Sequence, residues 1–318
     1  MVKKIIKKAT LIAFAWFCLG SNAWGQDKLT ILLDWFVNPS HGPIIIAQQQ
    51  GYFSANDLKV EIIAPADPSL PPKMVASGQA DLALSYQPQL HLQLHEGLPL
   101  IRVGTLIATP LNCLLVLKEG PIQTIGDLKG RKIGFSVAGV DEAVLKQILA
   151  RHRLALNDVE LINVNFSLSP ALMSKQVDAV IGAFRNFELN QMAIEDVEGR
   201  CFYLEEEGVP PYDELIYVAH PQKMDRAKIA RFLEASEQAV QFIVNHPQES
   251  WEIFSNYSSE LKNTLNERAW FDSINRFALR PSASDAGRYQ RFEEFLRDEN
   301  LIEGINPASQ MTIDVNMR

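Results

Sequence analysis

Two successive cycles of short apolar runs, each alternating with helical segments, constrain the fold of this 318-residue chain more than any other feature. The first cycle begins at residue 29 and the second at Thr124. Such alternation is typical of βαβ units, so the sequence predicts an α/β protein built on a parallel sheet. The expected strands are at residues 29–33, 60–64, 81–85, 101–107, 132–136, 160–164, 179–184 and 200–204.

Strand-like segments near residues 113–117 and 214–219 link the two cycles. We expect two lobes that the chain crosses twice, because a mature chain of about 290 residues is long for one hydrophobic core. Lobe one is predicted to combine residues 27–112 with 220–318, and lobe two to span 118–213. A cleft between lobes on a double hinge can close around a ligand.

Residues 1–25 have the pattern of a cleaved signal peptide. Four lysines precede an apolar run at residues 10–19, and Ala23 and Gly25 are the small residues that a signal peptidase reads. The apolar run is about half the length that a membrane-spanning helix needs. We therefore expect cleavage near Gln26 and a soluble product in the periplasm.

Removal of this leader takes away four lysines and no acids, so the formal net charge falls from −8 to −12. Such a chain lacks the basic face that binding to phosphates requires, and we expect no nucleic-acid partner. Cys113 and Cys201 remain, either as a disulfide or as two buried thiols, and their apolar surroundings favour the thiols slightly. His91 and His95 have a metal-like spacing, but without a third ligand nearby a solvated helix face is favoured. No metal or cofactor is predicted.

The loop at residues 34–41 follows the first strand, at the edge where open α/β sheets place ligands. Trp35 offers a flat face for a planar heterocycle, or is a core residue at a strand end. Asn38 can donate and accept, or serve as a turn residue before Pro39. His41 can bond a ring substituent, or cap the following helix. Together they suit a small, nitrogen-rich planar ligand.

Four further residues lie at the end of a predicted strand or after one, and they belong to the candidate site. Tyr86 stacks on a ring or packs on the lobe surface. Ser136 offers a hydroxyl or a backbone N–H. Glu188 accepts from an exocyclic amine, or stabilises the start of a helix through its dipole. Tyr212 covers the ligand or packs at the hinge.

Five segments of the chain resemble a known family. They are DWFVNPSHGPIIIAQQQGYF (34–53), MVASGQADLALS (74–85), TIGDLKGRKIGFS (124–136), DAVIGAFRNFE (178–188) and GVPPYDELIYV (208–218). They resemble the family that groups bacterial thiamine-precursor-binding proteins with the fungal thiamine-pyrimidine synthase. The resemblance implies a type II periplasmic-binding-protein fold, a pyrimidine ligand of the formylaminopyrimidine or hydroxymethylpyrimidine type, and an ABC importer permease as partner to a monomeric protein.

The chain departs from the synthase pattern at two places. Ser85 and Gln89 occupy positions where the resemblance implies a Lys and a His, and residues 205–211 lack its cysteine-rich run. We therefore expect a binding protein and no enzyme. The alternatives are a binder of riboflavin or an aliphatic sulfonate, with Arg185 as a candidate anion partner, and, less favoured, a synthase-type enzyme.

Overall fold

The computed structural model describes residues 25–315. The predicted signal peptide therefore lies outside the described residues, apart from Gly25. Within residues 25–315, no helix is long and apolar enough to cross a membrane.

Ten strands form two five-stranded sheets in the described part of the chain. In chain order they are β1 Asp27–Leu32, β2 Leu58–Ile63, β3 Leu82–Ser85, β4 Ile101–Ile107, β5 Asn112–Leu117, β6 Lys132–Phe135, β7 Glu160–Asn163, β8 Ala179–Phe184, β9 Gly199–Tyr203 and β10 Leu215–Ala219. The first sheet has the order β2-β1-β3-β10-β4, and the second has the order β7-β6-β8-β5-β9. Each sheet is the centre of one lobe.

Helices cover these sheets. They are α1 Gly42–Gln49, α2 Tyr52–Ala55, α3 Pro71–Ser77, α4 Gln87–His95, α5 Val140–Arg151, α6 Leu168–Met173, α7 Glu188–Ile194, α8 Arg226–Asn245, α9 Pro247–Ser255, α10 Thr264–Ser273, α11 Ala286–Asp298 and α12 Ala308–Met311. The helices from α8 onward return to the first lobe, where Thr312 pairs with Arg102 of β4.

Local sequence explains where several elements begin and end. Proline starts α3, where its missing N–H costs nothing, and Gly78 ends it with a φ of 85°. Asp225 starts α8 by accepting a hydrogen bond from the Lys228 N–H. One face of α8 is then buried in the first lobe through apolar residues at helical spacing, among them Phe232, Ala235, Ala239 and Ile243.

The sheets are mixed, whereas the sequence analysis predicted a parallel sheet. β10 runs antiparallel to β3 and β4, and β5 runs antiparallel to β8 and β9. The cause is the double crossing. The other strands end at the cleft, but β5 and β10 begin there after the chain has passed from the opposite lobe.

The segments predicted as links are thus themselves strands, β5 in the second sheet and β10 in the first. The chain passes between the lobes just before each of them, at residues 108–111 and 204–214.

A disulfide joins Cys113 on β5 to Cys201 on β9, with the Cα atoms 5.5 Å apart. The preference for two free thiols was therefore wrong. Both cysteines lie in apolar runs, as the sequence indicated, but the two strands are antiparallel neighbours and place the residues at adjacent diagonal positions.

Candidate functional site

A cavity with an empty volume of about 650 Å³, partly open to solvent, lies between the lobes. Its walls are formed at the carboxyl ends of β1, β3, β6 and β8, together with the start of β5 and the second crossing segment. The residues that line it are Asp34, Trp35, Asn38, Tyr86, Pro88, Asn112, Ser136, Val137, Val140, Asp141, Val144, Leu168, Gly182, Phe184, Phe187, Glu188, Tyr212 and Glu214.

The structure brings six of the seven predicted site residues to this cavity. They are Trp35, Asn38, Tyr86, Ser136, Glu188 and Tyr212. The seventh, His41, is fully buried behind the wall.

Both ring nitrogens of His41 are engaged by the protein. Nε2 lies 2.9 Å from Asp34 Oδ1, and Nδ1 accepts the Asn38 N–H at 3.2 Å. Tyr86 donates its hydroxyl to Asp34 Oδ2 at 2.9 Å. Burial and the Asp34 carboxylate raise the pKa of Tyr86, so this hydroxyl stays protonated. His41 therefore closes the turn at residues 38–41 and orients Asp34. The expectation that it caps the following helix was wrong, because its side chain makes no capping hydrogen bond to α1.

The polar groups of Asn38 and Ser136 are also occupied within the chain. The Asn38 amide accepts from the Ser40 N–H at 2.9 Å and donates to the Phe36 carbonyl at 3.0 Å. Ser136 donates its hydroxyl to the Asn165 carbonyl. These two residues shape the wall of the cavity.

Three other buried carboxyl groups line the cavity. Glu214 accepts backbone N–H groups of Leu111 and Asn112 at 2.5 and 2.8 Å. Glu188 accepts the Phe184 N–H at 2.7 Å. Burial raises the pKa of Asp141, Glu188 and Glu214 to about 7 in each case, against the hydrogen bonds they accept, which lower it.

None of the described residues that line the cavity is Lys, Arg or His. Arg185, the candidate anion partner, binds Glu205 instead at 2.7 and 2.9 Å. Its guanidinium also lies 4.1 Å from the Tyr203 ring centroid. The cavity thus offers many acceptors and no cationic side chain, a poor environment for an anion.

Aromatic contacts and hydrogen bonds join the lobes across the cleft. Trp35 of the first lobe meets Phe166 of the second edge to face, with ring centroids 4.6 Å apart. Tyr86 similarly meets Phe184 at 6.3 Å. Asn186 of the second lobe donates to hydroxyl groups of the first lobe, at 2.8 Å in the nearer case. Only 9% of Trp35 is exposed, so the lobes are closed on each other.

Sequence reasoning missed four polar residues of the cavity wall, namely Asp34, Asn112, Asp141 and Glu214. Two of them lie inside segments that carry the family resemblance, 34–53 and 208–218, and that position was an available signal. Asp141 has the sequence pattern of an acid at the start of a helix, which is common and carries no signal for a ligand site. Asn112 had no signal, because its role depends on a contact with Gly182, whose N–H it accepts at 3.0 Å.

The interpretation of His91 and His95 as a solvated helix face was wrong. Their rings both bind Glu293 of α11, His95 at 2.6 Å, and His91 is fully buried. The cause is the packing of α11 against α4. Residues 25–315 contain no cluster of three or more His, Cys, Asp and Glu placed to hold a metal ion.

The fold and its cleft define a protein with the periplasmic-binding-protein fold, as predicted. A solved structure with this fold is the alkanesulfonate-binding protein SsuA from Xanthomonas axonopodis pv. citri bound to MOPS. It aligns with a TM-score of 0.70 and 14% identity over 90% of this chain and 98% of that chain. More particularly, the chain belongs to the NMT1/THI5-like family, whose model matches residues 38–250. This confirms the resemblance seen in the sequence.

Curated relatives carry thiamine-related names. A putative thiamine biosynthesis protein of Haemophilus influenzae is 50% identical over 311 residues, 96% of this chain and 99% of that protein. A formylaminopyrimidine-binding protein of Halalkalibacterium halodurans is 29% identical, over 85% of this chain and 84% of that protein. The 4-amino-5-hydroxymethyl-2-methylpyrimidine phosphate synthase of Schizosaccharomyces pombe is 26% identical, over 76% and 72%.

Proposed function

We propose that this protein is the periplasmic binding component of an ABC importer and captures a thiamine-precursor pyrimidine, of the formylaminopyrimidine or hydroxymethylpyrimidine type. Closure of the two lobes around the ligand would present the loaded form to the permease. The fold, the family and the name of the Halalkalibacterium halodurans relative support this proposal.

The chemistry of the cavity carries the proposal. Four carboxyl groups and five aromatic side chains surround a space without a basic side chain. An aminopyrimidine presents a flat π-face to the rings, while its exocyclic amine presents N–H donors to the acceptors. An anionic ligand would meet repulsion and find no counter-charge.

Each site residue has a distinct part in this proposal. Glu188 accepts from the exocyclic amine, while Trp35 and Tyr86 contact the ring. Tyr212 covers the ligand near the second crossing, and its hydroxyl is held by Glu214 at 3.2 Å. Asn38 and Ser136 shape the wall, and His41 orients Asp34 from behind it.

Binding without catalysis is the proposed activity. Ser85 donates to the Gln89 side chain at 2.9 Å, both residues are buried, and neither lines the cavity. These positions therefore supply no Lys or His to the ligand. The synthase alternative predicts a pyrimidine product after incubation with iron and pyridoxal phosphate, which we expect to be absent.

Thermal unfolding with a panel of ligands tests the proposal. A ligand that binds only the folded state increases the free energy of unfolding, by about 2.7 kcal/mol at a hundredfold excess over its Kd, and so raises the melting temperature. We expect shifts with formylaminopyrimidine or its hydroxymethyl analogue, and none with taurine, nitrate or riboflavin. A shift with riboflavin alone would move the proposal to that solute.

Two further measurements test the biological setting. Native mass spectrometry of protein purified from cells should show a co-purified mass in the range of an aminopyrimidine. N-terminal sequencing of protein recovered from the periplasm should begin near Gln26, whereas an intact first residue would contradict export with cleavage.

A further inference from the structure

The backbone at the start of α5 has the geometry of an anion site, and a side chain of the same helix occupies it. Asp141 Oδ2 accepts the N–H groups of Ser136 and Val137 at 3.1 and 2.9 Å. Converging N–H groups beside the start of a 12-residue helix are the arrangement that binds phosphate and sulfate in proteins. Here the carboxylate takes the position that an oxygen of a bound anion would take.

The position of this carboxylate depends on the opposite wall. Gly182 has a φ of 93°, and a Cβ at this position would lie 2.9 Å from Asp141 Oδ2. Because Gly182 has no side chain, the Asp141 carboxylate has room to lie against the Ser136 and Val137 N–H groups. Asp141 is 3% exposed, and its second oxygen, Oδ1, has no hydrogen-bond partner within residues 25–315. That oxygen belongs to a residue that lines the ligand cavity.

We propose that Asp141 determines ligand specificity by acting as a built-in anion: it occupies the two backbone N–H groups and turns an acceptor oxygen toward the cleft. The residue thereby converts a donor site for anions into an acceptor site for N–H groups. A tetrahedral anion loses its two donors and meets a like charge, while a ligand with amine donors gains an acceptor beyond Glu188. The gain of an acceptor for an amine-bearing ligand rests on the proposed function, whereas the exclusion of anions does not.

The test uses methanesulfonate as the probe and dimethyl sulfone, its neutral isostere, as the control ligand. Titration calorimetry at pH 8, above the pKa of about 7 to which burial raises Asp141, compares the wild type with Asp141→Ala, Asp141→Ser and Asp141→Asn. Alanine and serine are too short to reach both amides, so these two variants expose them. Asparagine keeps an oxygen that can accept both N–H groups, but it removes the charge. Circular dichroism verifies the folding of each variant.

We expect the Ala and Ser variants to bind methanesulfonate at least tenfold more tightly than the wild type, with no gain for dimethyl sulfone. The Asn variant should gain clearly less, because its amide still occupies the two N–H groups. Folded Ala and Ser variants that bind no better than the wild type would overturn the inference. Equal gains in the Asn and Ala variants would also overturn it, since charge alone would then exclude anions.

Formylaminopyrimidine is titrated into the wild type in parallel. If it does not bind, the proposed function is contradicted, while the sulfonate result still tests the role of Asp141. If it binds the wild type but the folded Ala and Ser variants show no gain in methanesulfonate affinity, the proposed function is supported and the proposed role of Asp141 is contradicted.

Discussion

Substitution of Glu214 by Gln should change how the stability of the empty protein depends on pH. Glu214 is 1% exposed, and its Oε2 accepts two backbone N–H groups and the Tyr212 hydroxyl. A glutamine oxygen can accept the same hydrogen bonds. The substitution therefore removes a titrating group from the cavity while it preserves the contacts between the two crossing segments.

The magnitude follows from the pKa of Glu214, which burial raises from 4.5 to about 7. Between these two pKa values the folded state holds a proton that the unfolded state releases. The free energy of unfolding therefore falls as the pH rises from about 4.5 to about 7. One pKa unit corresponds to about 1.4 kcal/mol, and the loss between pH 5 and pH 8 is on the order of 2 kcal/mol for this group. Asp141 and Glu188 have the same sign, so the wild type should be distinctly less stable at pH 8 than at pH 5.

Urea unfolding of the ligand-free protein at pH 5, 6, 7 and 8 measures this effect. The Glu214→Gln variant should lose about 2 kcal/mol less than the wild type across this range. Glu206→Gln, at an exposed position of the same crossing segment, is the matched control and should follow the wild type. Parallel pH profiles for Glu214→Gln and the wild type would refute the reasoning, because burial would then not be holding a proton on Glu214.

Three other substitutions or treatments have defined outcomes. Glu188→Gln should weaken formylaminopyrimidine binding by about tenfold to a hundredfold in calorimetry, since hydrogen bonds to charged groups contribute roughly 1.5–3 kcal/mol; equal affinities would return Glu188 to the role of an acid at a helix start. Trp35→Ala should weaken binding at least tenfold and increase the radius of gyration in X-ray scattering, because the indole packs on the second lobe, whereas Phe271→Ala, at an exposed position, should do neither. Thiol titration of the denatured protein should find Cys113 and Cys201 unreactive until a reductant is added, and reduction should cost about 2–5 kcal/mol of stability; reactive thiols before reduction would contradict the disulfide.

The positions of the ten strands could be predicted from the sequence because each strand is a short apolar run between strong boundary signals. Residues 101–107 and 179–184 were predicted as strands with the bounds that the structure shows, and the strand-like segment predicted near residues 214–219 is β10. Strand direction could not be predicted in the same way, because it depends on which lobe the chain has just left. The pairing of Cys113 with Cys201 and of His91 with Glu293 likewise depends on elements far apart in sequence.

The candidate site shows the same division. Residues that directly follow a strand, such as Trp35 and Tyr86, could be placed at the cleft from sequence. The partners of a polar side chain could not. His41 and Ser136 were candidate donors to a ligand, but nearby protein groups occupy their polar atoms. Asp141 has the sequence pattern of an ordinary acid at a helix start, and only the fold shows that its carboxylate reaches two amides behind it.

The disulfide also determines how the molecule would respond to mechanical tension. Cys113 lies on the strand by which the chain enters the second lobe, and Cys201 lies on the strand by which it leaves. The first described strand, β1, and Thr312 near the described C-terminal end both belong to the first lobe, so a pull on the two ends would pass through the sulfur–sulfur bond. The cysteines are 88 residues apart in sequence, and the segment between them would not be extended. Fully stretched, that segment would add about 300 Å. Under tension the first lobe would therefore unravel while the second remained a covalently closed loop, and only a reductant would make its length available.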